Sequence, residues 1–222
     1  MIKEKLKRGS IFYKLYLYFN IFIRYKILKS HLKTYSQFGE DLFIDDFFQN
    51  QKEGKYVDLG AFHPMRLSNT FLLHKKGWSG TNIDFNPISI DLFNIARKKD
   101  TNICALISDQ SDIYKNANYE HAWSAANSIS SDDKLTIKKK MKTETFDRLI
   151  NHNFDFLNID LEGHDYKVLK TINLNKFRPS LICIEILHDG PNKDNIFNHM
   201  NFNKFEFIKN LGPSFFFKRE EK

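Results

Sequence analysis

An aspartate and a glycine close the apolar run Lys55–Tyr56–Val57–Asp58–Leu59–Gly60, and a carboxylate closes a second run, Gly80–Thr81–Asn82–Ile83–Asp84. Residues 68–76 between them have helical composition and stop at Gly77. Strand, glycine turn, helix and strand make one βαβ unit, and ligands of such units sit beyond the carboxyl ends of the strands. There the glycine lets backbone come close to a ligand, and the later carboxylate can accept hydrogen bonds from two ribose hydroxyls. The pattern predicts a nucleoside site on Asp58, Gly60 and Asp84 and leaves the nucleoside open.

The elements that must hold these residues follow from periodicity. Residues 41–49 have an amphipathic helical pattern, and a helix is expected from Pro87 to about Lys99. A strand over 101–106 ends at Ser108 and Asp109, and a helix over 143–151 takes Thr143 as its cap. The strand 154–159 stops at Asp160–Leu161–Glu162–Gly163–His164–Asp165, with a helix following to Lys170. Residues 180–186 read as another strand, ending near Glu185 and His188, and 205–209 with 214–217 as an antiparallel hairpin. Residues 115–142 are polar and irregular, long enough for a functional loop or lid. Strands alternating with helices predict an α/β fold with a parallel sheet.

The 222 residues suffice for one core without staples. The net charge of +7 is unevenly spread: residues 1–33 hold nine basic side chains against Glu4, which leaves residues 34–222 at −1. A near-neutral folded part argues against a nucleic-acid-binding face. Cys104 and Cys183 lie in apolar runs and are expected to be buried hydrophobes, which fits a reducing cytoplasmic compartment. Residues 11–23 are too short and too interrupted for a membrane span, and no signal-peptide cleavage site follows them. Phe12, Tyr16, Phe19 and Ile23 recur at helical spacing among basic residues. Such a helix either packs on its own domain, or lies peripherally on an anionic membrane, or joins a second subunit. Residues 1–33 are therefore set apart as a basic aromatic helical segment, with the main domain at 34–222.

Five blocks in order carry a specific resemblance. Tyr35–Ser36–Gln37–Phe38–Gly39–Glu40–Asp41, Tyr56–Val57–Asp58–Leu59–Gly60–Ala61–Phe62–His63–Pro64 and Ser68–Asn69–Thr70 are the first three. Gly77–Trp78–Ser79–Gly80–Thr81–Asn82–Ile83–Asp84–Phe85–Asn86–Pro87 and Phe156–Leu157–Asn158–Ile159–Asp160–Leu161–Glu162–Gly163–His164–Asp165 follow. Over about residues 34–190 the chain resembles the FkbM family of methyltransferases. The resemblance implies a class I methyltransferase fold: a Rossmann-like three-layer sandwich whose mostly parallel seven-stranded sheet ends in an antiparallel hairpin. It implies S-adenosylmethionine as cofactor and O-methylation of sugar or polyketide-type hydroxyls. It also suggests roles. Asp58 and Gly60 line the methionine end, Asp84 takes the ribose diol, and Phe85 and Asn86 lie beside the adenine. Ser108 and Asp109 read its exocyclic amine, and Gln37, Asp41, Asn69 and Thr70 close the site from above. For Asn69 and Thr70 a helix cap is the competing role. His63–Pro64 departs from the family's usual glycine-rich turn and stiffens it.

Methyl transfer from a sulfonium is a displacement in which charge is lost, so positioning carries much of it, and an alcohol acceptor benefits from proton removal. Two routes are open among Asp160, Glu162, His164, Glu185 and His188. In one, His164 or Glu162 is the base. In the other, Asp160, Glu185 and His188 hold a divalent cation (Mg, Mn or Fe) that acidifies the hydroxyl. Asp160 and Glu162 could equally serve only to orient the cofactor and cap the next helix. The expectation is an S-adenosylmethionine-dependent O-methyltransferase for a sugar hydroxyl. Its substrate is expected to be a nucleotide-activated sugar such as a heptose, for bacterial capsule or surface polysaccharide, with phosphates meeting the basic patch Lys138–Lys139–Lys140–Met141–Lys142. A nicotinamide-dependent oxidoreductase would share the βαβ unit, although Gly60–Ala61–Phe62–His63–Pro64–Met65 lacks its glycine pattern. A non-catalytic, membrane-associated scaffold is the third reading.

Overall fold

Residues 56–59, 156–159 and 181–184 are buried at every position, as strands covered on both faces must be. The computed structural model describes residues 6–27, 32–119, 127–128, 137–187 and 190–220. Helix α1 (Ile11–Tyr18) runs on as a π-helix (Phe19–Ile27), followed by α2 (Glu40–Phe47), β1 (Lys55–Leu59), α3 (Phe71–Lys75) and β2 (Ser79–Asp84). Next come α4 (Pro87–Ala96), β3 (Thr101–Cys104), β4 (Leu106–Ile107), β5 (Tyr114–Tyr119), β6 (Asn127–Ser128) and β7 (Ile137–Glu144). The chain continues with α5 (Phe146–Leu149), β8 (Phe156–Ile159), α6 (Asp165–Leu169), α7 (Leu174–Phe177) and β9 (Leu181–Glu185). It ends in α8 (Pro191–Phe202), β10 (Phe205–Leu211) and β11 (Ser214–Arg219).

The main sheet has seven strands in the order β10-β11-β9-β8-β1-β2-β3. All pairs are parallel except those of β11 with β9 and with β10. Chain order reverses at β1, which pairs with β2 on one side and β8 on the other, and this switch point opens a crevice at the carboxyl ends. One face packs Val57, Leu157 and Ile182 under α5 to α8; the other packs Tyr56, Phe156 and Leu181 under α2 and α3. On that second face a polar row crosses the sheet in register: Asn102, Asn82, Asp58, Asn158 and Cys183.

Several expected elements are revised. The presumed lid at 115–142 begins and ends as paired strands, with β5 and β7 antiparallel from Tyr114↔Lys142 to Tyr119↔Ile137; residues 120–126 and 129–136 lie outside the described residues. Thr143 belongs to β7 and donates its hydroxyl to Gln110 O and Ile113 O, so the following helix shrinks to α5 with Thr145 at its cap position. The strand expected at 101–106 breaks after Cys104, and Leu106–Ile107 pairs in the small second sheet. Cys104 is exposed rather than buried; Cys183 is buried as expected.

The N-terminal helix packs through Tyr13, Leu17, Ile21 and Tyr25 against Met65, Phe71 and Leu92. A four-residue spacing drifts about 40° per step on an α-helix, and the wider i→i+5 turns after Tyr18 bring the row back toward one side. The row expected to be its apolar face stays outside, with Phe12, Phe19 and Ile23 exposed.

Candidate cofactor and acceptor cleft

The crevice at the switch point is a cleft of about 1150 Å³ of empty space, its open mouth included. Six carboxylates line it, Glu40, Asp58, Asp84, Asp160, Glu162 and Glu185, and among the described residues no lysine, arginine or histidine does. Phe62, Leu67 and Glu162 line it with φ of 45°, 48° and 51°. Non-glycine residues adopt this left-handed region at a cost of about 1 kcal/mol each, and such strain clusters at binding sites.

Asp84 ends β2 with its side chain fixed by two backbone amides: Phe62 donates to Oδ2 at 2.9 Å and Asn86 to Oδ1 at 2.6 Å. Each oxygen keeps a second lone pair and the residue lines the cleft, which suits a vicinal diol. Burial pushes the carboxyl up to about 6, against the pull of those amides.

Asp58 is buried in a network rather than presented freely. Its oxygens accept from Thr70 Oγ1 at 2.7 Å and Asn158 Nδ2 at 2.9 Å, and Asn158 Oδ1 accepts from Asn69 Nδ2 at 2.9 Å. Thr70 precedes α3 but makes no capping bond, so the cap reading fails for it; its hydroxyl accepts from Arg97 Nη1 at 2.8 Å. Arg97 is fully buried and also donates to Pro64 O, Ser68 Oγ and Tyr56 Oη, with the Phe93 ring 5.0 Å away. One guanidinium thus ties the loop after β1 to the start of α3 and holds Thr70 against Asp58. Nothing local marks Arg97 in the sequence, where it reads as an exposed helix end.

Gly60 has φ +78, and a Cβ there would lie 1.7 Å from the carbonyl oxygen of Asp160. Its amide and that of Ala61 both donate to Ile83 O. The glycine is demanded by the close approach of the β1 and β8 ends, and it also lines the cleft.

The second half of the cleft holds a carboxyl pair. Asp160 and Glu185 end β8 and β9, and both are raised by burial, with neighbouring acids adding to it. Glu185 Oε2 is buried without a hydrogen-bond partner. Two ionised carboxylates cannot hydrogen-bond, so one proton shared between them relieves both. Asp165 shapes the turn between them by accepting from Leu161 N and Gly163 N, and burial raises it to about 6. Glu162 is raised by burial and by Asp165.

Gln37, Asn69 and Phe85 also line the cleft. Asp41 does not: its carboxylate accepts from Thr34 Oγ1, Tyr35 N and Ser36 Oγ, folding the segment that carries Gln37. Asn86 caps α4 by accepting from Ile88 N at 3.0 Å. Ser108 and Asp109 fall beyond the wall formed by Ala105, Leu106 and Ile107; Ser108 accepts from Lys115 Nζ at 2.7 Å and donates to Asp109. His164 is off the cleft, lowered by burial and by Lys167 and Lys115, so it is not placed to act as the base. His188 lies outside the described residues. Among the described residues no group of three or more His, Cys, Asp or Glu could hold a metal ion, and of the expected metal set Asp160 and Glu185 alone are described. Glu40 has no role in the sequence reading. It lines the cleft while accepting from Phe38 N at 2.6 Å and Ser214 Oγ at 3.1 Å, a partner too distant in sequence to infer.

A seven-stranded sheet of this order, parallel but for its antiparallel end, with a crevice at its switch point is the class I methyltransferase fold. Residues 58–212 match the methyltransferase FkbM domain, and the chain belongs to that family. Among solved structures it is similar to methyltransferase FkbM from Methylobacillus flagellatus, at 13% identity and TM-score 0.52 over 75% of this chain. It spans 44% of that protein's length. It is also similar to a TehB-like SAM-dependent methyltransferase from Corynebacterium glutamicum, at 14% identity and TM-score 0.50 over 90% of this chain and 97% of the other. These identities speak for the fold. No protein of curated function matches the chain significantly.

Proposed function

We propose that the chain transfers a methyl group to a hydroxyl oxygen of a carbohydrate, with the Glu185–Asp160 pair removing the proton. The observation that carries this reading is the Glu185 carboxyl, raised to about 7 and set in the same cleft as Asp84. A base with a pKa near the working pH is the efficient one. Bound S-adenosylmethionine supplies the methyl on a cationic sulfur. The residues present fit it: the charged side chains among the cleft's described lining are all acids, suited to a sulfonium and an ammonium, and each Asp84 oxygen has a second lone pair for the ribose. Glu185 takes the acceptor's proton while Asp160, protonated, donates to it and holds it in place. Gln37, Asn69 and Glu162 offer amide and carboxylate partners to neighbouring sugar hydroxyls.

The wider reading is an activated sugar, such as a nucleotide-linked heptose, on its way to a bacterial surface polysaccharide. Six acids would repel a diphosphate inside the cleft, so a nucleotide would extend outside it. The patch offers Lys139 and Lys140 there, since Lys142 is already paired with Asp112 at 2.6 Å. The same reasoning disfavours a nicotinamide dinucleotide. A pyrophosphate needs free turn amides, and Gly60, Ala61 and Phe62 give theirs to Ile83 and Asp84. The test is methyl transfer to a panel of monosaccharides and nucleotide sugars, read by mass spectrometry with and without a chelator. O-methylated sugar supports the reading; transfer only to nitrogen or carboxyl acceptors sinks it, and chelator-sensitive turnover would restore the metal route.

A further inference from the structure

We infer that the outer face of the N-terminal helix is a docking surface for an anionic lipid membrane. The inner row of this helix is committed to the domain. It packs through Tyr13, Leu17, Ile21 and Tyr25, and Asn20 receives a hydrogen bond at 3.2 Å from His63. The direction of that bond is set by the other ring nitrogen, which accepts the amides of Met65 and Arg66 and therefore carries no proton. The departure from glycine at His63 thus has a structural cause: its ring, 4.6 Å from that of Tyr25, fastens the helix to the turn after β1.

With the helix so fixed, its outer face is apolar and uncovered. Ile11, Phe12, Leu15, Phe19, Ile23 and Ile27 are all exposed, Phe12 at 69% and Ile27 at 60%. An exposed band of this kind on a single helix marks an interaction site. Its charge selects the partner. No acidic side chain occurs between Lys5 and Gly39, and Lys14, Arg24 and Lys26 are exposed along the helix. Two copies meeting through this face would bring cations against cations, whereas anionic headgroups neutralise them. Lys26 Nζ lies 4.8 Å from the Phe22 ring centre, a side chain that can keep its charge at headgroup level while the ring sinks below. No helix among the described residues is long and apolar enough to cross a membrane, so this one would lie in the interface plane. A membrane-docked enzyme would meet acceptors carried on lipid.

The test is co-sedimentation of the full chain with phosphatidylcholine vesicles and with vesicles also containing phosphatidylglycerol. The protein should pellet with the anionic vesicles only, and high salt should release it. Lys14→Glu/Arg24→Glu should weaken binding roughly fivefold for each cation lost. Leu15→Ser/Phe19→Ser should weaken it at least as much, with the melting temperature and S-adenosylhomocysteine binding of both variants unchanged. Equal partition to both vesicle types, none to either, or wild-type binding by these variants would overturn the assignment. So would a dimer in sedimentation equilibrium that Leu15→Ser/Phe19→Ser converts to monomer, which would give the face to a second copy.

Discussion

Asp84→Asn should separate cofactor affinity from folding. The Asp84 carboxyl is raised from 3.8 to about 6 by burial, so above about pH 6 the folded protein carries an ionised group disfavoured by about 3 kcal/mol relative to the unfolded chain. The sign follows from a folded value above the unfolded one: the penalty is fully present above the folded pKa and vanishes below the unfolded one. Asparagine removes that penalty. It also turns an NH₂ toward one of the two amides that Asp84 accepts, from Phe62 or Asn86, stranding a buried donor at about 1–3 kcal/mol. The two terms oppose and nearly cancel, so the melting temperature at about pH 8 should move by only a few degrees. Binding has no such compensation. Loss of the charged acceptor for the ribose diol removes about 1.5–3 kcal/mol, or roughly tenfold to a hundredfold in affinity. Calorimetric titration with S-adenosylhomocysteine reads this directly. Wild-type affinity should fall as pH drops through about 6, because binding requires the ionised form, and the variant should be weak and flat over that range. An asparagine variant within about threefold of wild type would refute the ribose assignment, since a factor of three is well under 1 kcal/mol.

Glu185→Gln should lower kcat by about a hundredfold or more while cofactor affinity stays within a few-fold, and wild-type kcat should rise with pH through about 7. Equal losses in both quantities would mark Glu185 as a binding group instead. Gly60→Ala should remove more than about 4 kcal/mol, because the new methyl meets the Asp160 carbonyl and the backbone sits at φ +78; soluble protein melting like wild type would contradict the close approach described. Arg97→Lys loses the fork that reaches Pro64, Ser68 and Thr70 together and should cost about 3–5 kcal/mol. Thermal unfolding would show this as a melting temperature lower by roughly 6–20 °C, and a smaller drop would mean that water or Lys replaces the fork.

What could be read from the sequence is what depends on short-range pattern. Val57–Asp58–Leu59–Gly60 sets an acid just before a glycine turn and Thr81–Asn82–Ile83–Asp84 ends on one, and each places a carboxylate near the open end of a buried parallel strand. The seven-stranded methyltransferase sheet and its antiparallel end were legible for the same reason. Side-chain direction was not. Asp41 and Asp84 look alike as acids beside a turn, yet Asp41 is consumed by three donors from residues 34–36, while Asp84 keeps one lone pair on each oxygen. The difference lies in which amides happen to converge on each carboxylate, a property of the tertiary fold. The lysine-rich strand β7 escaped notice because a run of like charges hides the alternation that marks a strand.

The buried polar groups explain why so acidic a cleft can persist before any ligand arrives. Six carboxylates facing one space would repel strongly if all were ionised, and the fold answers the charge of five of them in three ways. Asp58 is answered from below by the Thr70 hydroxyl and, one bond further, by the buried Arg97 charge. Asp84 and Glu40 accept backbone amides that are fixed dipoles. Burial raises both Asp160 and Glu185, the Glu185 charge adding to it for Asp160 and the Asp165 and Glu162 charges for Glu185. A hydrogen bond with Asp160 pulls Glu185 back down, so that the pair keeps a proton between them. Of these groups Glu185 is raised closest to neutral pH, to about 7, and under the proposed function it is the one that takes the acceptor's proton. A cation entering the cleft would favour ionisation of that same pair, so binding of the sulfonium would itself prepare the base. Under the proposed function the cleft's charge and its chemistry would be one arrangement: Glu185 would be ionised beside a bound sulfonium and would then take the acceptor's proton.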